Sequence, residues 1–272
     1  MGRSAYARGD RLTVEIGLSY VCGAFRGSAD GNSDFGETMK RLRLVAHLAL
    51  ALVLLLPVPR LALADLAAAT AAFESGDYAS ALTKLQPLAD GGNAQAQAYL
   101  GRMHREALGV PRDFERSAAW YLRAAEQGHV EAQSMIGIYY AEGFGLEQDY
   151  QEAFRWLSKA AEQGDAQAQN SLGALYKHAL GVENDDALAV VWYRRAAKQG
   201  HPLGQKNLAT MYERGRGVPE NKKKAYLWYH IAAENGLAEV RTALLRLRAA
   251  LTPEEVEALE NLAEAKAHSD LD

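Results

Sequence analysis

Cysteine and proline are scarce in this sequence, and neither sign of charge dominates it. The chain of 272 residues contains one cysteine, Cys22, and seven prolines. No cysteine follows it, which excludes disulfides and cysteine metal sites from the rest of the chain. The net charge of −4 gives no electrostatic basis for binding nucleic acid. What the chain does contain is good helix formers with few β-branched residues, and this composition predicts an all-α fold.

Long apolar runs are also missing, but one shorter run is typical of an export signal. Residues 44–56 form a near-continuous apolar stretch of 13 residues, whereas a membrane-spanning helix needs about 20. Basic residues lie at 40–43, and the small-x-small site of a signal peptidase lies at 62–64. We therefore predict a signal peptide over residues 39–64, cleaved after Ala64. This predicts a periplasmic or secreted protein that is not a stable membrane protein after cleavage.

The predicted signal peptide begins 38 residues into the sequence, although such segments belong at the extreme N-terminus. We expect translation to begin at Met39 and residues 1–38 to come from an upstream start. Their Gly- and Ser-rich composition without periodicity fits this interpretation. The alternative is a genuine cytoplasmic extension ahead of a membrane anchor.

A repeat with a period of 36 residues is the strongest pattern in the sequence. All four tryptophans and one column of glycines keep this spacing without insertion or deletion. These positions, which we interpret as structural, are Trp120, Trp156, Trp192, Trp228, Gly109, Gly145, Gly181 and Gly217. An unbroken period of this length predicts stacked, equivalent supersecondary units.

Each unit is predicted to form two antiparallel helices. In the first unit, one helix covers about Ala94 to Glu106, and Gly109 is expected to end it with a left-handed C-cap. Asp113 and its equivalents at 149, 185 and 221 are predicted N-caps of the second helix, which carries the tryptophan.

Two kinds of histidine position stand out in the repeats. His129 and His201 are expected in the turn after a second helix, where a cation complements the helix dipole. His104 stands in a column otherwise filled by tyrosine, and we expect it to be a packed, hydrogen-bonded core residue.

Incomplete units flank the four repeats. We predict an N-terminal partial repeat or cap over residues 65–92, four repeats over 93–237, and a C-terminal half repeat with a capping helix over 238–272. A helix is expected over 238–250, and the Thr252-Pro253-Glu254-Glu255 segment predicts a second helix start with a capping box.

The fourth unit is similar to the Sel-one-like repeat family, a relative of the tetratricopeptide repeats. The residues that carry the resemblance are Leu208, Tyr212, Gly215, Gly217, Val218, Ala225, Trp228, Tyr229, Ala232, Ala233 and Gly236. Units one and three depart from the pattern, with Ala107 and Ala179 at the first loop glycine. The resemblance implies an all-α, right-handed solenoid of antiparallel helix pairs that presents a concave surface to a partner.

By the same resemblance, the first helix of each unit lines the concave side. Positions on this helix that differ between units are free of the packing constraint and share a face, because they are three or four residues apart. We predict that they bind a protein or peptide partner. They are Tyr99, Arg102, Arg105, Met135, Ile138, Glu142, Asn170, Ala174, Lys177, His178, Lys206, Thr210 and Arg214.

The sequence predicts a binding scaffold and not an enzyme. No nucleophile elbow, phosphate-binding loop or zinc-protease motif occurs, and we expect neither a cofactor nor a metal. Exported bacterial members of the family resemble adaptors, which implies a regulator of an envelope or signalling process. Two alternatives stay open: a glycan-binding or polysaccharide-assembly component, and a β-lactam or cell-wall hydrolase. A cysteine-rich branch of the family is linked to penicillin binding, but its paired cysteines are missing here.

Overall fold

Helices account for all the regular secondary structure in the part of the chain that is described. The computed structural model describes residues 58–265, and the side chains of residues 65–264. The helices are α1 (Val58–Glu74), α2 (Tyr78–Asp90), α3 (Ala94–Glu106), α4 (Phe114–Glu126), α5 (Val130–Glu142), α6 (Tyr150–Glu162), α7 (Ala166–His178), α8 (Asp186–Lys198), α9 (Pro202–Arg214), α10 (Lys222–Glu234), a 3-10 turn (Ala238–Val240), α11 (Arg241–Arg248) and α12 (Pro253–Ala265). The predicted all-α solenoid is confirmed.

The predicted signal peptide lies largely outside the described residues, and so do residues 1–38. Its last part, residues 58–64, forms the first turns of α1, which continues past Ala64 to Glu74. None of the helices that are described is both long and apolar enough to cross a bilayer. Export therefore stays a prediction.

Helices α3 to α10 form four repeats of identical layout. Each of these helices contains 13 residues, and we call the first helix of a repeat A and the second B. Asp113, Asp149, Asp185 and Asn221 each accept a hydrogen bond from a backbone N–H in the first turn of a B helix. The predicted N-caps are therefore confirmed, as is the predicted first A helix, Ala94–Glu106.

The N-caps of the A helices include two histidines, which corrects their predicted role. Nδ1 of His129 accepts from the backbone N–H of Ala132 at 3.2 Å, and Nδ1 of His201 accepts from Gly204 at 3.1 Å. Nε2 of His129 lies 3.2 Å from Oε1 of Gln95, in the preceding A helix. The expectation of cationic histidines at a helix C-terminus was wrong, because each one begins the next helix. An imidazole that accepts at Nδ1 and donates at Nε2 is uncharged.

The Gly109 column joins neighbouring repeats instead of capping helices. The left-handed C-cap of α5 is Gly143, two residues earlier than Gly145. A Cβ on Gly145 would lie 2.2 Å from the carbonyl oxygen of Phe114, at the start of the preceding B helix, and one on Gly217 would lie 2.2 Å from that of Asp186. Only glycine allows so close an approach, and this explains why the column is constant. The C-cap expectation for Gly109 was wrong by two positions.

The C-cap positions themselves tolerate alanine at a cost. Ala107 and Ala179 have φ of 61° and 56°, in the left-handed region, where Gly143 and Gly215 fill the equivalent places. An L residue in that region is less stable by about 1–2 kcal/mol. These two alanines therefore carry backbone strain that the other two repeats avoid.

Within a repeat, a second glycine column lets the A and B helices pack closely. A Cβ on Gly101 would lie 2.9 Å from the ring of Tyr121, and one on Gly137 would lie 2.6 Å from Cγ of Leu157. Both large side chains are fully buried. The glycine provides the space, and the large side chain of the B helix fills it.

Buried glutamines make the same hydrogen bonds at every repeat junction. Nε2 of Gln97 donates to the carbonyl of Ala89 in α2, the helix before the first repeat, at 3.0 Å. Oε1 of Gln97 accepts from Nε2 of Gln127 at 2.7 Å. Gln133, Gln169 and Gln205 repeat both bonds with their own neighbours. Each junction thus has one buried polar group with both functions satisfied.

The tryptophan column is only partly core. Trp156 and Trp228 are buried, at 3% and 2% exposure. Trp120 and Trp192 are half-buried, with the guanidinium groups of Arg123 and Arg195 over their rings at 4.7 and 4.4 Å. His104 is packed as expected, but its buried Nδ1 has no hydrogen-bond partner within the described residues.

Both ends of the array are covered by helices. Phe73 of α1 and Leu85 of α2 pack against the first repeat. At the other end, Val256 and Ala263 of α12 pack against the last repeat. The predicted capping box is confirmed, because the backbone N–H of Thr252 donates to Glu255 and that of Glu255 donates to the Thr252 hydroxyl. The helix predicted over 238–250 is shorter, since its start is a 3-10 turn without a side-chain cap.

We expect the glycine junction to be the most sensitive backbone position of the fold. Gly145→Ala should lower the free energy of unfolding by about 2–4 kcal/mol, because strain and a backbone clash add. Gly128→Ala is the control: it has φ of 90° but nothing within 4 Å of its Cβ, so it should lose only about 1–2 kcal/mol. Ala107→Gly should gain about 0.5–1 kcal/mol. Urea titration measures all three, and equal losses for the two glycine variants would contradict the junction role.

We also expect the histidine caps to make stability fall in mild acid. Burial lowers the pKa of His129 and of His201 below the usual 6.5. The unfolded chain then binds protons first, so the caps contribute fully above pH 6.5 and are lost as the pH falls through the folded-state pKa. Each cap contributes about 1 kcal/mol.

The double variant His129→Asn/His201→Asn keeps two good N-caps that do not titrate. Its unfolding free energy should change less than that of the wild type between about pH 7.5 and 5.5, above the range where carboxylates protonate. Burial also lowers the pKa of His104 and His178, which leaves a residual dependence. An unchanged slope in the variant would show that the two caps do not titrate on unfolding.

Candidate partner-binding groove

The A helices form the inner side of the array. Successive A helices contact each other directly, α5 with α7 and α7 with α9, whereas no two B helices of the four repeats come as close. The face made by α3, α5, α7 and α9 is therefore the concave one, and we call it the groove. Three clefts divide it: the first between α3 and α5, the second between α5 and α7, and the third between α7 and α9.

The residues predicted to bind a partner are distributed over all three clefts. Most of them are half-buried, and Glu142, His178 and Arg214 are exposed. Asn170 differs, because it is buried at 7% exposure and its Oδ1 accepts from Nδ2 of Asn207 at 2.8 Å. Thr210 also bonds within the fold, to the hydroxyl of Tyr229 at 2.9 Å.

The first cleft is small, and its two arginines are paired. A hollow of about 50 Å³ is lined by Tyr99, Arg102 and Glu131, among others. Nε of Arg102 lies 3.2 Å from the Glu106 carboxylate, and its guanidinium lies over the ring of Phe73. Arg105 also contacts Glu106 and lies 3.0 Å from the sulfur of Met135. Little positive charge is left here for a partner.

The second cleft holds a larger hollow than the first. It has a volume of about 320 Å³, with Ile138, Glu142 and Asn170 among its lining residues. Its size follows from two alanines, Ala141 of α5 and Ala174 of α7, which also line it. The repeat equivalents of Ala141 are Arg105, Lys177 and Glu213, and those of Ala174 are Arg102, Ile138 and Thr210. Small side chains at these two positions open the second cleft.

The third cleft is cationic. Lys177, His178, Lys206, Arg214 and Arg216 surround it. Lys206 pairs with Glu239 at 2.8 Å, outside the A helices. Neither the ammonium group of Lys177 nor the guanidinium of Arg214 has an ion pair or hydrogen bond within the described residues.

The electrostatics of Lys177 reflect this crowding. Burial lowers the pKa of Lys177, and the nearby charges of Arg216, Arg214 and Lys206 lower it further, against the opposing effect of Asp186. The pKa of His178 is lowered by burial and then by Lys177 and Arg216. The local field is therefore positive, and a bound anion would relieve it.

One charged pair of the third cleft was not among the predicted site residues. Arg216 forms a bidentate pair with Asp186, with N–O distances of 2.8 and 2.9 Å. In the first cleft the equivalent residues are Phe144 and Phe114, whose rings stack with centroids 5.2 Å apart. The sequence did contain a signal for this pair. Arg216 stands where the other three repeats have Leu, Phe and Leu, and Asp186 stands where the first two repeats have Phe and Tyr. The ion pair at the junction of the third and fourth repeats takes the place that an aromatic contact has at the first junction.

No group of His, Cys, Asp or Glu side chains suited to a metal ion occurs among the described residues. A curved array of helix pairs with a lined inner groove defines a repeat scaffold. The Sel1 repeat family matches residues 94–129, 130–165, 166–201 and 202–237, the four units described above. The chain belongs to this family. Its repeats generally mediate protein–protein interactions, and its members are typically non-catalytic.

Solved structures of the same kind resemble this one. A Sel1 repeat protein from Oxalobacter formigenes is 28% identical with a TM-score of 0.64, over 74% of this chain and 82% of that chain. A protective antigen present in uropathogenic Escherichia coli strains, which displays this repeat fold, is 37% identical with a TM-score of 0.58. That match covers 71% of this chain and 43% of the antigen. No curated protein matches the chain.

Proposed function

We propose that this chain is an exported scaffold whose groove binds a segment of a partner protein, and that it serves as an adaptor or regulator in an envelope or signalling process. One observation carries the proposal. The tryptophan and glycine columns that begin at Trp120 and Gly109 keep one residue type in all four units, whereas most groove positions differ between units. The equivalent groove residues Arg102, Ile138, Ala174 and Thr210 have little in common.

The geometry of the groove favours a chain segment over a small molecule. The three clefts follow one another along the array, and each has a different chemistry: paired charges, a hollow, and free cations. A row of unlike subsites suits a ligand that is itself a sequence of unlike side chains. The groups available, amide, aromatic, aliphatic and cationic, are those that recognise a peptide.

Sugar recognition has less support from the described residues. Sugars stack on exposed aromatic rings. The two half-buried tryptophans, Trp120 and Trp192, lie on B helices, and each has an arginine over its ring. The described residues of the groove therefore suit a protein segment better than a glycan.

Filling the second cleft should abolish partner binding. Ala174→Trp puts a large side chain into the hollow, and Val191→Trp, at an exposed position on a B helix, is the matched control. Partner captured by tagged protein from the cell envelope should fall about tenfold or more for Ala174→Trp only. Equal capture by both variants, with equal melting temperatures, would exclude the groove as the binding face.

A separate experiment tests export by identifying the N-terminal residue of the protein made in cells. The proposal rests on the basic, apolar and small-residue segments of residues 39–64. Mass spectrometry of the protein from the envelope fraction should find a chain that begins at Asp65. A native peptide from within residues 1–38, or a chain retained in the cytoplasm, would contradict it.

A further inference from the structure

The second cleft has free hydrogen-bond donors beside an apolar wall. Ile138, Leu175 and Leu180 supply apolar surface. Oε1 of Gln167 and Oδ1 of Asn170 are engaged by His201 and Asn207. The amide nitrogens of Gln167 and Asn170 have no acceptor within the described residues. An apolar side chain whose backbone carbonyl meets these amide groups matches this combination.

The third cleft lies one repeat further along the same groove. Lys177 of α7 and Arg214 of α9 lie on A helices that contact each other, and neither side chain has an ion pair or hydrogen bond within the described residues. Glu239 and Asp186 are already paired with Lys206 and Arg216. Two unpaired cations on adjacent helices therefore face the groove, and the charge that complements them is a carboxylate.

We propose that the groove selects an extended acidic segment, with an apolar side chain in the second cleft and a carboxylate between Lys177 and Arg214. Packed helices are separated by about 10 Å, which sets the distance from one cleft to the next. A chain in the extended polyproline II conformation advances about 3.1 Å per residue with three residues per turn, so side chains three residues apart lie about 9 Å apart on the same face. This inference rests on the proposed function, because it states what kind of segment the groove binds.

A peptide is favoured over a polyanionic glycan by the second cleft. A glycan would satisfy Lys177 and Arg214 but has no side chain for a hollow lined by Ile138 and Leu180. The two ligands also differ in their response to Ala174→Trp, which removes the hollow and leaves both cations in place.

Display of random dodecapeptides against the full-length chain tests the selection directly. Enriched peptides should contain an apolar residue and an Asp or Glu about three positions apart, in either order. Lys177→Glu/Arg214→Glu should weaken binding of these peptides about tenfold or more and should instead enrich peptides with Lys or Arg at that position. A variant that merely misfolds cannot gain this new preference.

The matched control is Lys159→Glu/Arg195→Glu, which reverses two exposed charges on neighbouring B helices. It should leave the selected peptides unchanged. Peptides that lack the acidic preference, or that bind the Lys177/Arg214 variant equally, would overturn this inference. If those peptides are still lost with Ala174→Trp, the groove and the proposed function survive. Both proposals are overturned if no enriched peptide loses its binding to the Ala174→Trp variant while it still binds the Val191→Trp variant. They are also overturned if only polyanionic glycans bind.

Discussion

The whole array depends on how closely the backbone of one repeat approaches the next. Gly145 lies against the first turn of the preceding B helix, where any Cβ would meet a carbonyl oxygen at 2.2 Å. Gly217 repeats this contact two junctions later in the series, and Gln133 adds a buried hydrogen bond between units. A contact that admits no side chain leaves little freedom in the angle between units. The curvature of the array, and with it the existence of an inner groove, follows from this junction.

Fixing the junctions leaves the groove positions free to vary. Ala174 can replace an arginine because nothing in the packing between repeats needs its side chain. Arg216 and Asp186 show that even a loop contact can change from aromatic to ionic while the glycine beside it stays in place. The scaffold and the chemistry of its inner surface are therefore encoded at separate positions, so that each cleft differs from the next.

Local chemistry explains which predictions succeeded. The Asp113 column was predictable as N-caps because the bond joins a side chain to a backbone group three residues away. The role of His129 was predicted wrongly because the residues around it are compatible with either end of a helix. Only its hydrogen bond to the backbone N–H of Ala132 shows that it begins α5. The Gly145 column was assigned to a cap because a positive φ and a close tertiary contact both require glycine. Sequence spacing does not distinguish these two reasons.

The sequence predicted the repeat helices, the N-caps of the B helices, the 36-residue period and the family, because these depend on capping bonds and packing columns that recur within one unit. The packing of neighbouring repeats determines which groove residues meet. Lys177 and Arg214 are about one repeat apart in the chain, and the packing of α7 beside α9 brings their charges close to each other. Asn170 has the sequence position of a groove residue, yet Asn207 of the next unit buries it. Contacts between units depend on the approach of neighbouring helices, which no single repeat contains.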